Sequence, residues 1–76
     1  DERVKEAREL ISTLKTEQAR GSYLVARFYE KKKHWDGALV YYNEVLIRDP
    51  QSKYADLARQ RIEEIKRKNT KQTAQR

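Results

Sequence analysis

The sequence contains few residues that interrupt helices and few that commonly serve in catalysis or metal binding. Its 76 residues include no cysteine, no methionine, one proline, two glycines and one histidine. Without cysteine these residues can form neither a disulfide nor a thiolate metal site, so the redox compartment is not indicated. They also contain no apolar run near the roughly 20 residues that a membrane-spanning helix needs. This composition favours a helix-rich protein without a transmembrane segment.

The net charge of +6 is concentrated at the end of the sequence. Residues 66–76 hold five basic residues and no acidic one, which leaves 13 basic minus 12 acidic, or +1, for residues 1–65. Residues 67–76 have one apolar side chain, Ala74, and we expect them to be a basic, disordered tail beyond a helical domain of residues 1–66. Basic tails can bind phosphate backbones, so a small helical nucleic-acid-binding domain stays open as an alternative function.

Apolar residues at steps of three and four predict about four helices, which short connections would pack as antiparallel hairpins. We expect a break or kink at Gly21, because glycine costs about 1 kcal/mol against alanine inside a helix. Asp36 is expected to cap the third helix, and Pro50 to end it near Arg48. Ser52 is placed to cap the fourth. The clearest stripe, in the first helix, comprises Val4, Ala7, Leu10, Ile11 and Leu14.

Residues that enzymes use are scarce. The single histidine, His34, lies in a lysine-rich turn, where we expect a solvated side chain. Glu63 and Glu64 are adjacent and point about 100° apart on a helix, so they do not share a site. There is no glycine-rich phosphate loop and no H-E-x-x-H motif. We therefore expect a protein that is not an enzyme, with no catalytic residue, bound metal, cofactor or small-molecule substrate.

Residues 22–50 match a known repeat pattern. The tetratricopeptide (TPR) consensus runs W-x2-L-G-x2-Y, then A-x3-F, then P, in a 34-residue helix–turn–helix unit. Ser22 stands where the consensus has tryptophan. The segment thus resembles a TPR repeat, which implies antiparallel helix hairpins in a right-handed solenoid, with one full repeat and flanking helices. The other six positions match in kind: Val25, Ala26, Tyr29, Ala38, Tyr42 and Pro50.

The pattern also predicts how this repeat packs. Small side chains at Ala26 and Ala38 would let the axes of the two helices approach closely. Val25, Phe28 and Tyr29 are expected on the inward side, and Trp35 is expected to plug the space between the helices. Solenoid repeats bury their faces against neighbours and usually need about three units, so we expect this segment to come from a longer array.

A narrower resemblance covers nearly the whole sequence. "ARELI" in a long charged helix, "YLVARFYEKKKHWDGAL", and the turn "DPQSKYAD" are similar to the later TPR repeats of BamD-type lipoproteins of the machinery that assembles outer-membrane β-barrels. The family implies a periplasmic scaffold tethered by a lipidated cysteine, which binds other assembly subunits and unfolded barrel segments. No cysteine is present in these 76 residues. A generic TPR adaptor with another protein partner is the alternative within the same class.

The candidate partner-binding residues lie opposite the expected inward stripe and recur at steps of three and four. In a TPR stack this face lines the concave groove, and tyrosine and arginine are frequent anchors at interfaces. We expect Tyr23 and Arg27 to be partly exposed and to contact a peptide together. An ordinary charged, solvent-facing surface is the alternative. The candidates are Arg20, Tyr23, Arg27, Glu30 and Lys31.

Overall fold

In a computed structural model the chain folds into three helices. The helices are α1 (Glu2–Lys31), α2 (Trp35–Arg48) and α3 (Lys53–Ala74). The structure describes residues 1–74, and the side chains of residues 1–68. The predicted all-α class is confirmed, with no strand in the described part of the chain. The prediction of about four helices is wrong, because the two helices expected before residue 32 are one.

Gly21 lies inside α1 and does not break it. Its backbone does not adopt positive φ, and a Cβ added there would have no atom of another part of the fold within 4 Å. A single glycine costs about 1 kcal/mol, whereas a helix that has already formed extends cooperatively through such a position. Ala19 and Ala26, fully buried on either side of Gly21, fix both flanks of α1 against the core.

The helices α1 and α2 form an antiparallel hairpin. The Thr16 hydroxyl donates to a carboxylate oxygen of Asp49 at 2.8 Å, which sets the C-terminal end of α2 beside the middle of α1. Ala26 and Ala38 are both fully buried, as the sequence predicts. α3 packs against α2 and against the second half of α1. The core shared by the three helices consists of Ala19, Ala26, Ala38, Tyr42, Val45, Ala55, Ala58, Ile62 and Ile65.

The inward side of α1 differs from the prediction. Val25 and Phe28 are exposed, and Tyr29 is half-buried at the edge of the hairpin. The buried positions Ala19 and Ala26 are seven residues apart and lie about 100° around the helix from the predicted stripe. Close contact with α2 selects these alanines, because smaller side chains let the helices pack more tightly. Trp35 is half-buried and packs against the core, as expected.

Local hydrogen bonds fix both turns. Asp36 is not the cap of α2; the cap is His34, whose side chain makes no capping hydrogen bond, and Asp36 lies in the first turn of the helix. The prediction that this helix ends at Arg48 is confirmed. Asp49 then takes an extended conformation, as expected for a residue before proline. The predicted cap at Ser52 is also confirmed, since its hydroxyl accepts from the Ala55 amide at 3.2 Å.

The boundary expected after Lys66 falls inside a helix. α3 continues through Ala74, past the start of the tail of residues 67–76 that the sequence separates from the helical domain. Arg67 forms an ion pair with Glu64 at 3.3 Å. The side chains from residue 69 onward lie outside the described residues, so the disordered tail stays a prediction.

Replacing each glycine by alanine tests whether the helix at that position has room for a side chain. Gly21→Ala should raise the free energy of unfolding by about 0.5–1 kcal/mol, because the methyl group meets open space and alanine favours the helix. Gly37→Ala serves as the contrast, since its methyl group would lie 3.0 Å from the Tyr29 ring and displace it. Urea denaturation measures both. A destabilised Gly21→Ala variant would contradict the continuous α1.

Candidate functional site

The carboxylate of Glu30 joins all three helices. Glu30 lies on α1, and its side chain is only 11% exposed. The Tyr42 hydroxyl of α2 donates to one carboxylate oxygen at 2.5 Å. The Arg61 guanidinium of α3 bonds both oxygens, through Nε at 3.2 Å and through a second nitrogen. A two-pronged arginine–carboxylate pair fixes orientation as well as distance, so this cluster sets the position of α3 against the hairpin.

The charges around Glu30 determine its ionisation. Burial opposes the charged form, but hydrogen bonds from Arg61 and Tyr42, together with the positive charges of Arg61 and Arg27, outweigh it and hold the pKa of Glu30 below its ordinary value. Burial and the hydrogen bond to the Glu30 carboxylate raise the pKa of Tyr42 far above that of a free phenol. Glu30 is therefore a carboxylate and Tyr42 a neutral donor throughout the physiological range.

An aromatic cluster adjoins the Glu30 cluster. The ring of Tyr23 on α1 lies 5.8 Å from the ring of Tyr42 on α2, and 5.8 Å from that of Tyr54 on α3. Tilted pairs at this separation add stability beyond the area they bury. Tyr23 is half-buried and packs against the core, so it contributes to the fold while leaving part of its ring accessible.

The three basic candidates on α1 have the most solvent-exposed side chains of the five. Arg27 keeps 40% of its side chain exposed and lies 3.7 Å from the Glu30 carboxylate. Arg20 is exposed and pairs with Glu17 one turn earlier at 3.7 Å. Lys31 is exposed at the end of the helix. The five predicted residues thus separate into two that hold the helices together, Tyr23 and Glu30, and three that present positive charge to solvent.

The contribution of α3 to this face is not predicted by the sequence pattern. Arg61 and Tyr54 complete the polar and aromatic clusters, and neither was among the candidates. They lie seven residues apart, two helical turns, which places them on the same side of α3. That spacing was available in the sequence, but their partners Glu30 and Tyr23 are about 31 residues away, a distance that helix periodicity cannot bridge.

The described residues offer little for other chemistry. Within them, no group of three or more histidine, cysteine, aspartate or glutamate side chains is placed to hold a metal ion. No helix in the described part of the chain is both long and apolar enough to span a bilayer. Comparison with protein-family models, with curated proteins and with solved structures gave no match to this chain.

The variant Glu30→Gln, compared with the parent at several pH values, tests how much the Glu30 carboxylate stabilises the fold. Because folding lowers the pKa of Glu30, its contribution to stability is present above the ordinary value near 4.5 and is lost as the pH falls below it. We expect the variant to lose about 1–3 kcal/mol of unfolding free energy at pH 7. We also expect a shallower decline than the parent between about pH 5 and 3.

Chemical denaturation at several pH values measures both quantities. Glu44→Gln is the matched control, because the Glu44–Arg48 pair at 3.0 Å is much more exposed. That variant should change stability by less than about 1 kcal/mol. Equal losses in the two variants at pH 7 would contradict a special role for Glu30.

Proposed function

We propose that this chain is a non-catalytic TPR-type scaffold segment that binds protein partners. The observation that carries this proposal is the complete burial of Ala26 and Ala38 in a hairpin of two antiparallel helices, followed by a third helix packed against both. Tyr42, which takes the place of phenylalanine in the A-x3-F part of the TPR consensus, is also fully buried. Small residues at the helix contact and a large ring beside them are what the repeat pattern requires.

We assign the scaffold to a BamD-like component of the outer-membrane protein assembly machinery, acting on the periplasmic side of that membrane. The turn "DPQSKYAD", one of the motifs behind this resemblance, is closed by several hydrogen bonds. Asp49 accepts from the Thr16 hydroxyl and from the Gln51 amide, while Ser52 caps α3. The Arg59 guanidinium donates to the Pro50 carbonyl at 3.0 Å and closes the turn. The Thr16 bond holds the end of α2 against α1, and the Ser52 and Arg59 bonds fix the start of α3 relative to the turn.

The binding face we propose is the side of α1 next to α3, with Arg27 as its principal anchor. Its side chain is partly exposed, and the ring of the half-buried Tyr23 lies four residues earlier on the same face of α1. A bound segment with a carboxylate would accept charge-assisted hydrogen bonds from Arg27 while contacting this ring. Arg20 and Lys31 extend the positive charge along α1, so an acidic or partly acidic segment fits this face.

Arg27→Gln separates binding from folding. Glu30 keeps its Arg61 and Tyr42 partners when Arg27 is neutralised, so we expect the thermal transition to change little. Binding to a β-barrel assembly subunit or to an unfolded outer-membrane β-barrel segment should weaken by about tenfold or more if Arg27 is an anchor. Fluorescence anisotropy with each purified probe measures the dissociation constant.

Arg48→Gln is the matched control for this experiment. Arg48 is exposed to a similar extent, but it pairs with Glu44 on α2, away from the proposed face. It should bind as the parent does. If the parent binds neither probe, the assignment to the assembly machinery is wrong. If Arg27→Gln and Arg48→Gln bind equally well, the partner contacts another face.

A further inference from the structure

The first half of α1 projects beyond the hairpin. α1 has 30 residues and α2 has 14, about 45 Å against about 21 Å at 1.5 Å per residue. The end of α2 reaches α1 at Thr16, and residues 2–15 are exposed on every side. This projecting half nevertheless carries large apolar side chains, which are between 48% and 61% exposed: Val4, Leu10, Ile11 and Leu14.

These apolar residues have the spacing of a coiled-coil seam. Val4, Ala7, Ile11 and Leu14 follow one another at steps of three, four and three, the spacing at which two helices interlock side chains. A lone helix of this length is only marginally stable in water. The seam lies about 90° around α1 from the buried alanines, and α2 reaches α1 only at Thr16, so a second helix can pair with residues 2–15 without displacing α2 or α3.

Charges beside the seam indicate the direction in which a second copy would run. In a parallel pair the flanking position of Arg3 would face Arg8 of the other copy, which places like charges together. In an antiparallel pair, residue 9 of each copy would lie at the two-fold axis. Arg3, which flanks the seam, would then face Glu17 of the other copy. Asp1 then faces Lys15, and symmetry forms each of these opposite-charge contacts twice. Antiparallel pairing also aligns the helix dipoles favourably.

We propose that residues 1–17 of two copies of this chain pair as an antiparallel coiled coil. Val4 of one copy packs beside Leu14 of the other, and Ala7 beside Ile11. The two hairpins then lie at opposite ends of the paired helices and do not collide. One like-charge contact remains, because Arg8 faces its own counterpart across the symmetry axis. The seam spans two heptads, so the association is weak and depends on protein concentration.

Sedimentation equilibrium of the 76-residue chain, from about 10 µM to about 1 mM, covers the range of weak interfaces. We expect the mean mass to rise from 9.1 kDa toward twice that value. Leu14→Lys should abolish the rise, because it places a charge in the seam. Ile47→Lys is the matched control, since Ile47 is 73% exposed on α2 and lies outside the seam. Arg8→Gln should strengthen association by removing the like-charge contact.

Charge exchange tests the pairing itself. Arg3→Glu and Glu17→Arg, each alone, convert two attractive contacts into repulsive ones and should weaken association about tenfold. The double variant restores both contacts with reversed sign and should return to within about threefold of the parent. Circular dichroism of each variant checks that α1 stays helical, since Glu17 also pairs with Arg20 within one chain.

Cross-linking tests the direction. The chain has no cysteine, so an introduced one reports a single position. A mixture of Val4→Cys and Leu14→Cys chains should oxidise mainly to the mixed disulfide, whereas a parallel pair would give the two like disulfides. A chain that stays monomeric at about 1 mM overturns the proposal and leaves the seam to another protein segment. Like-with-like cross-links overturn the antiparallel arrangement.

Discussion

One carboxylate, that of Glu30, fixes how the three helices are arranged. It accepts hydrogen bonds from Tyr42 on α2 and Arg61 on α3 while it belongs to α1. A charge held at 11% exposure is costly unless it is compensated, and here an arginine and a phenol compensate it. Moving α3 away would remove the Arg61 hydrogen bonds from this carboxylate. The polar cluster therefore selects one orientation of α3, where apolar packing by itself tolerates several.

The same cluster shapes the face that we propose for binding. Glu30 neutralises Arg61 and leaves Arg27, 3.7 Å away, with a large exposed fraction. Tyr23 packs against Tyr42 and Tyr54 with part of its ring still accessible. Residues that hold the helices together thus stand next to residues that can hold a partner. A rigid support of this kind lowers the entropy lost when a flexible segment binds.

Much of the fold follows from local chemistry in the sequence, and the exceptions have a common cause. Pro50 and Ser52 set the end of α2 and the start of α3, because their effects act within a few residues. The continuity of α1 through Gly21 depends on packing on both sides of the glycine, which local propensity does not contain. The face carrying Ala26 and the face carrying Phe28 are both periodic, so periodicity alone could not choose which one is buried. Likewise, nothing local indicates that Glu30 meets a residue of α3.

The most direct test of the account is a double-mutant cycle between Glu30 and Arg61, with Glu30→Gln, Arg61→Gln and the double variant. If their interaction holds α3 in place, the two losses of unfolding free energy will not add, and the coupling will be about 1–3 kcal/mol. Urea denaturation at pH 7 and low salt gives the four free energies. A coupling below about 0.3 kcal/mol, within the scatter expected for independent sites, would show that apolar packing alone positions α3 and would contradict the account.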